Sequence, residues 1–573
     1  MERHLLPDQI KTEILKPMND LKVSLVANNT IHKPHLLLNK NCFVEPVEVA
    51  LAQGESFMYI SILQNLGMLL KHSDIFSYVM ESSPNRPNNL ISNFSDGSKC
   101  ENCEFLSKSS CLHIQFYIDD FQIANPLSSS ARNNKICAIY WTLGNIPQFY
   151  RSKLYNIQVA VLAKHRSVKK HGLAEILKPL LKDLMTLENG YDMEGPNGQI
   201  LNFNGTVSMV ISDNLAAHES GGFIESFSSL RVCRFCSATK QSIKDSFMEK
   251  DFEKRTIETF NASLEIVENN EAMSTTYGIK TDSPLNQLQY FHVCWGLPSD
   301  LAHDIFEGFG LDLLKSIINY SITNKFFSLN ELNAIIKSYP YASKDKRNKP
   351  AEIFKDGSGQ LAIRQSASQS LNLLCLLPLF VANKIPEDDS HWKNYIEFLD
   401  ILDMILSSSL VLGEIRYMEL SISNFLQNFF RFNPAISVKP KAHYLIHYAS
   451  QYRLFGPLIN QSTLRYEGKH AHLKSFMKKS KNFRNPCKSI SYQNQYTQCL
   501  YHMNEDFLQT NSKKYSKVFY SKLFQLPFHL QQRLSTIIDG NPTLCLARSL
   551  VLHGLIYEKG SSIVINNNPL EFA

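Results

Sequence analysis

The hydrophobic pattern along the chain changes period several times, and each change predicts an element. Ser56–Lys71 sets Ile60, Ile62, Leu63, Leu66, Met68 and Leu69 on one side and predicts a helix. Residues 82–98 (SSPNRPNNLISNFSDGS) are polar and rich in Pro, Asn and Ser, which predicts a loop. From residue 112 the period shortens. Leu112–Ile118 (LHIQFYI), Lys135–Leu143 (KICAIYWTL) and Asn156–Ala163 (NIQVAVLA) are closely spaced β-branched and aromatic runs that predict an antiparallel meander. Gly172–Leu187 returns to helical spacing, with Leu173, Ile176, Leu177, Leu180, Leu181, Leu184 and Leu187 forming a broad apolar face despite Pro179. Thr206–Ile211 (TVSMVI) is again a buried strand, and residues 240–440 read as mostly helical, with periodic segments over Ala302–Ile318 and Asn394–Leu412.

The predicted order is therefore strand, strand, strand, helix, strand. The first strand runs into Asp119-Asp120 and the fourth into Ser212-Asp213. Strand ends present side chains to a ligand while the hydrogen-bonded sheet stays rigid. This succession is the ribonuclease-H-like arrangement, in which those two positions hold divalent metal; a lone aspartate there is equally explained as edge polarity. The expected fold is α/β (α+β): a ribonuclease-H-like mixed sheet core interrupted by a large all-α insertion. The expected divisions are 1–100, mostly helical; 101–240, the first part of the core; 241–440, the helical insertion; 441–500, a histidine pair and a C-terminal functional helix; and 501–573, a helical tail.

Composition narrows the classes. The chain has 573 residues, 44% hydrophobic and 20% charged, as in ordinary globular proteins. Its net charge of +6 is too small to point to a nucleic-acid partner unless the positive charge is concentrated. The longest apolar candidate, Leu371 to Ala382, contains Pro378 and falls short of the ~20 residues a membrane span needs. The charged N-terminus does not resemble a signal peptide, and the scattered 12 cysteines suit a reducing compartment. The expectation is a soluble intracellular protein without a membrane partner.

Two half-motifs carry metal chemistry. Cys233-Arg-Phe-Cys236 has the spacing of a zinc knuckle, but alone it is half a site or two buried thiols. Far downstream, His443 and His447 stand four residues apart, neighbours on one helical face. Together they complete a tetrahedral Cys₂His₂ set. Cys100, Cys103 and Cys111 form a rival cluster without an obvious fourth ligand. Asp300-Leu-Ala-His303, beside Asp304 and Glu307, is either a capped helix start or a second metal cluster.

The positive charge is concentrated in one place. From Arg465 to Arg484 there are seven basic side chains, including Lys469, Lys474, Lys478, Lys479 and Lys481, and one acid, Glu467. The stretch Ser462–Lys481 predicts a helix. A solvated basic face is the plain reading; a phosphate-facing helix whose one carboxylate binds metal is the sharper one. Phe476 and Phe483 are expected to pack inside.

At this point the residues resemble a known family. YIDDFQIANPLSS, VISDNLAAHESGGF followed by CRFC, LPSDLAHDIFEG, and KAHYLIHYASQYRLFGPL with LRYEGKHAHLKSF look like blocks of the transposases of CACTA (En/Spm) DNA transposons and their animal relatives, in the same order over most of residues 50–490. The resemblance implies a DDE-type transposase of the nucleus, acting on double-stranded DNA at transposon ends and target. It implies Asp119 as first catalytic acid, with Asp120 the alternative by a one-residue slip, Asp213 as second and Glu467 as third. These would hold two Mg²⁺ or Mn²⁺ ions, while Cys233, Cys236, His443 and His447 would bind one structural zinc. Asp300 and His303 resemble a recurring C/D-x₂-H signature, and Arg465, Lys469, Lys474, Lys478 and Lys479 would face DNA. Joining two DNA ends suits a homo-oligomer. The alternatives are a domesticated or degenerate derivative that binds DNA without cutting it, and a metal-dependent nuclease of the same fold class.

Overall fold

A computed structural model describes residues 42–81, 89–123, 134–225, 229–342, 345–480, 484–503 and 507–508, with short pieces between 514 and 572. Its centre is a mixed six-stranded sheet built from β1 (Val47–Ala50), β2 (Ser56–Tyr59), β3 (Leu112–Gln122), β4 (Lys135–Leu143), β5 (Gln158–Lys164) and β6 (Gly205–Ile211). The strand order is β1-β2-β5-β4-β3-β6. β3, β4 and β5 are consecutive antiparallel neighbours, the predicted meander. β6 pairs with β3 in parallel, and their ladder stops at Tyr117 opposite Ile211. Antiparallel strands connect by short turns, whereas a parallel pair requires a crossover. That crossover contains α2 (Leu173–Glu188), whose predicted leucine face is buried from Ile176 to Leu187, with Leu173 half-buried.

Two expectations about the strands change. Ser56–Lys71 is not one helix: Ser56–Tyr59 pairs with β5, and the helix α1 (Ile62–Leu70) begins only after Ser61 caps it by accepting from Gln64 N at 3.3 Å. The apolar SFMY run finds strand partners on both sides, and ladder hydrogen bonds outweigh its ambiguous periodicity. The first core strand also does not end at the aspartates. β3 continues to Gln122 because Asp119 and Asp120 are still paired, with Ala138 and Cys137 of β4.

Both sheet faces are covered. Phe116, Ile118, Ile139 and Trp141 pack under α1 and α2, while Tyr117, Phe121 and Tyr140 face the opposite way. That second face is closed by α10 (Leu464–Ser480) and α11 (Pro486–His502), through Tyr466, Leu473, Met477 and Ile490. Side chains of a strand alternate between faces. Asp119 therefore shares the α10 side with Tyr117 and Phe121, and Asp120 the other.

The residues between the knuckle and the histidine pair build a separate apolar core from α4 (Gly310–Thr323), α5 (Ala367–Val381), α6 (Ser390–Leu406) and α7 (Leu412–Phe432), joined by α9 (Tyr448–Phe455) just beyond the pair. The predicted segment Ala302–Ile318 is a π-helical stretch, Ala302–Phe309, running into α4, with Gly308 departing from helical geometry. The segment predicted over Asn394–Leu412 runs instead from Ser390 to Leu406, stopped by the serines that follow. Among the described residues no helix is long and apolar enough to cross a membrane. Where residues 501–573 are described beyond α11 they are mainly short antiparallel strands such as Ser549–Leu552 with Leu555–Glu558, not the expected helical tail. Residues 82–88 of the predicted loop, Lys481 and Phe483 lie outside the described residues.

Candidate metal centre and carboxylate site

The two halves of the Cys/His set meet. Cys233 and Cys236 stand on a tight turn whose flanks are bridged, Arg231 with Thr239 and Cys236 with Lys254. His443 belongs to α8 (Pro440–Tyr444), and His447 ends the 3₁₀ turn that follows. Cys233 Sγ lies 3.5 Å from His447 Nε2, Cys236 Sγ 3.3 Å from His443 Nε2, and the two Nε2 atoms 3.4 Å apart. All four are buried, and their ligand atoms lie within 4.8 Å of one another. Tetrahedral zinc with bonds of ~2.0–2.3 Å requires ligand-to-ligand edges of about 3.3–3.8 Å, so these separations fit one ion. Burial opposes ionisation of the Cys233 thiol, but the neighbouring Cys236 thiol and the two imidazoles outweigh it and hold Cys233 well below its ordinary pKa. Thiolate is the form that binds metal.

The support behind the set carries no sequence signal. His447 Nδ1 lies 2.8 Å from Glu249 Oε1, and Ser450 Oγ donates to the same oxygen at 2.8 Å. A carboxylate behind a ligating imidazole fixes its tautomer and leaves Nε2 free for metal. Along the chain Glu249 is one of many acids in a stretch that reads as helical. Phe252 packs edge-on against His443, and Phe235 against His447.

Asp119 and Asp213 lie just past the end of the parallel ladder between β3 and β6, Asp119 still paired with β4 and Asp213 beyond its strand. Asp119 is the second residue past the last β3–β6 pair, and Asp213 the second past β6. Asp213 caps α3 (Asn214–Ser220) by accepting from Ala216 N at 2.7 Å. Both line one cleft, together with Asp120, Lys135, His165 and Glu219. Tyr117 Oη donates to Asp119 Oδ2 at 2.7 Å. Burial raises the Asp119 carboxyl to about 6; the Tyr117 bond opposes this and the nearby Asp213 charge adds to it. Asp120 points the other way, paired with His165 at 2.7 Å and Lys135 at 3.1 Å. Of the two alternatives, Asp119 is the one that shares a face with α10.

α10 brings Glu467 to this end of the sheet. Tyr466 stacks on Tyr117 with centroids 4.6 Å apart, and His470 stacks on Phe121 at 4.7 Å. His470 Nδ1 lies 3.7 Å from Asp119 Oδ2, one turn beyond Glu467. Glu467 is partly buried, and burial raises its carboxyl, with His303 drawing it down and Glu307 and Asp300 pushing it up. Thr463 Oγ1 donates to Asp300 at 3.1 Å and lies 3.5 Å from Glu467 Oε1. Asp300 also accepts from Ala302 N at 3.1 Å, the expected capping role, and from His303 Nδ1. His303 is raised to about 9: burial works against its charge, but the Asp300 bond and the charges of Asp300, Asp213 and Glu307 prevail. Among the described residues only the Cys/His set gathers three or more such ligand atoms within 4.8 Å, so Asp119, Asp213 and Glu467 share a neighbourhood without converging that closely. No family model matches the chain, and no curated protein matches it.

The basic helix is only partly a surface. Lys478 and Lys479 are exposed, and Lys474 is half-buried with its ammonium 5.9 Å from the Phe121 ring. Lys469 corrects the expectation. It is buried, donates to Leu154 O at 3.0 Å, and burial lowers its pKa to about 7. Gly468-Lys469 faces the β4–β5 connection, so this lysine packs instead of reaching DNA. Arg465 is exposed at its tip but spends Nε on Ser152 O at 2.7 Å. Phe476 packs against the sheet as expected. Among the described residues Cys100, Cys103 and Cys111 join no metal group; burial first of all pushes the Cys100 and Cys111 thiols up to about 12.

Proposed function

We propose that this chain is a DDE-type DNA transposase with a ribonuclease-H-like core, in which Asp119, Asp213 and Glu467 hold Mg²⁺ or Mn²⁺ and the Cys/His set holds one structural zinc. The observation that carries the reading is the placement of two acids just past the end of the parallel β3–β6 ladder, beside a basic helix whose one acid faces the same end. Three antiparallel strands, a crossover helix and a strand parallel to the first support the fold assignment. The ordered blocks of CACTA likeness support the substrate: double-stranded DNA at element ends and at a target, in the nucleus, acted on by an assembly of more than one copy.

Hard carboxylate oxygens suit Mg²⁺ or Mn²⁺, which when bound activate the attacking oxygen and stabilise the leaving oxygen of an in-line phosphoryl displacement. The chain's own residues do the rest. Tyr117 orients Asp119 through its hydroxyl, Ala216 N orients Asp213, and Thr463 lies beside Glu467. Lys478 and Lys479 neutralise backbone phosphate without reading sequence. Water is the first nucleophile and the released 3′-hydroxyl the second, so no covalent bond to protein is needed.

The test is cleavage and joining of terminal-repeat DNA with Mg²⁺ or Mn²⁺. Asp119→Asn, Asp213→Asn and Glu467→Gln should each abolish both steps with the melting temperature retained. Wild-type rates in any of them would remove that residue from the assignment. That the three carboxylates do not gather within 4.8 Å of one another favours a second reading, a derivative that binds DNA without cutting it; DNA affinity with no divalent-dependent cleavage would establish that one.

A further inference from the structure

Between the two cysteines sits Arg234, a buried guanidinium that neither the zinc set nor the carboxylates account for. It is 2% exposed, and no carboxylate among the described residues pairs with it directly. A charge carried that far from water is costly unless its donors are all satisfied. Each of its three nitrogens donates one bond. Nη1 donates to Asn214 Oδ1 at 2.8 Å, Nη2 to Pro298 O at 2.7 Å, and Nε to Leu297 O at 3.3 Å. The group also lies 4.3 Å from the Phe235 ring centroid and 5.4 Å from that of Tyr444, which stands between the two ligand histidines.

Each partner leads to the carboxylate site. Asn214 follows Asp213 and opens α3, so the fork holds the first residue of the helix whose Ala216 N–H caps onto Asp213. Asn214 Nδ2 donates in turn to Asp304 Oδ1 at 2.6 Å, and Tyr448 Oη donates to Asp304 Oδ2 at 3.2 Å, one residue past His447. Leu297 and Pro298 lead directly into Asp300, which is bonded to Thr463 on the turn before Glu467. A single planar fork thus joins the metal turn to α3 and to the stretch of chain that anchors α10. Its geometry is fixed, because guanidinium donors cannot be rearranged as an ammonium's can.

We propose that Arg234 is a positioning residue that couples occupancy of the Cys233–Cys236–His443–His447 site to the placement of Asp213 and Asp300. An ion drawing Cys233 and Cys236 onto the histidines locks the turn that carries Arg234, and the fork then holds the start of α3 and residues 297–300 in register. The coupling rests on the zinc and divalent-metal assignments of the proposed function. By linkage, hard-cation binding at the acids and soft-cation binding at the knuckle then reinforce each other.

The experiment uses the full-length zinc-loaded chain and three readouts: zinc content, hydrogen exchange, and Mn²⁺ affinity by electron paramagnetic resonance. Arg234→Lys should keep one zinc per chain, raise exchange across residues 213–220 and 297–304 selectively, and weaken Mn²⁺ binding at least tenfold. Asn214→Ala, remote from the zinc ligands, should reproduce both effects and serves if the lysine variant does not fold. Unchanged exchange and Mn²⁺ affinity in a folded, zinc-loaded variant would overturn the coupling. So would loss of zinc in Arg234→Lys with exchange and Mn²⁺ affinity unchanged in Asn214→Ala, since Arg234 would then hold the knuckle alone. A wild-type chain that binds zinc but no Mn²⁺ would instead sink the catalytic assignment, and the exchange result would still decide the coupling.

Discussion

Among single residues, the sharpest distinction is between groups that meet a ligand and groups that hold another group. Glu249 belongs to the second kind. Glu249→Gln should leave the chain folded and lower zinc affinity by about 10- to 100-fold, measured by competition with a chromogenic chelator. An unchanged affinity would mean that Glu249 merely fills space beside Ser450. Lys469 and Lys479 form a contrasting pair on one helix. Lys479→Ala should reduce the slope of log affinity against log salt for DNA by about one, as expected when one phosphate goes without its cation. Lys469→Met should leave that slope unchanged, because its ammonium is already committed to Leu154 O. The sequence shows seven basic residues alike; it does not show that the β4–β5 connection passes over α10 and buries one of them against Leu154 O.

At the scale of elements, the strands, the crossover helix and the basic helix are readable because period and residue type agree in each. Lys135–Leu143 and Thr206–Ile211 are apolar and β-branched throughout, and α2 repeats leucine at its helical spacing. Ser56–Tyr59 misleads because its three apolar residues fit either period, and only the neighbouring strands decide. Residues 501–573 mislead for want of strong signals of either kind. α11 carries a pH prediction. His502 Nδ1 lies 3.0 Å from His72 Nε2 beneath the Phe507 ring, and burial, then the facing His72, lowers His502 to about 3. A folded-state pKa below the unfolded value means that the unfolded chain binds the extra proton. Stability is therefore full above about 6.5 and lost progressively as pH falls from there toward 3. Replacing His502 by Gln should flatten that fall, read from urea midpoints at pH 7 and pH 5. An equal fall in the variant would place the acid sensitivity elsewhere.

For the whole molecule, the Cys/His set is the fastener between the sheet and the helical block. Cys233→Ser removes one ligand and leaves a polar group buried among the remaining three. Structural zinc contributes its binding energy to folding, so melting temperature and zinc content should fall together. Retention of both would remove the set from the stability of the fold. The set itself is readable only as two halves, since spacing specifies neighbours along the chain and says nothing about groups 207 and 214 residues apart. The third acid is readable as the one carboxylate in a basic run, but its approach to Asp119 depends on rings, Tyr466 over Tyr117 and His470 over Phe121, that no spacing rule announces.

β3 and β6 both precede α10 by a long stretch of chain. During synthesis the ribosome must release some 250 residues between Asp213 and Glu467, and closing so long a loop costs little more than closing one half its length. A nascent chain can therefore assemble its sheet and both strand-end acids, yet it has neither the histidines that close the knuckle nor the helix that supplies the third carboxylate. For a transposase of the kind proposed, any DNA met in that interval is safe: the capacity to break strands arrives only with α10.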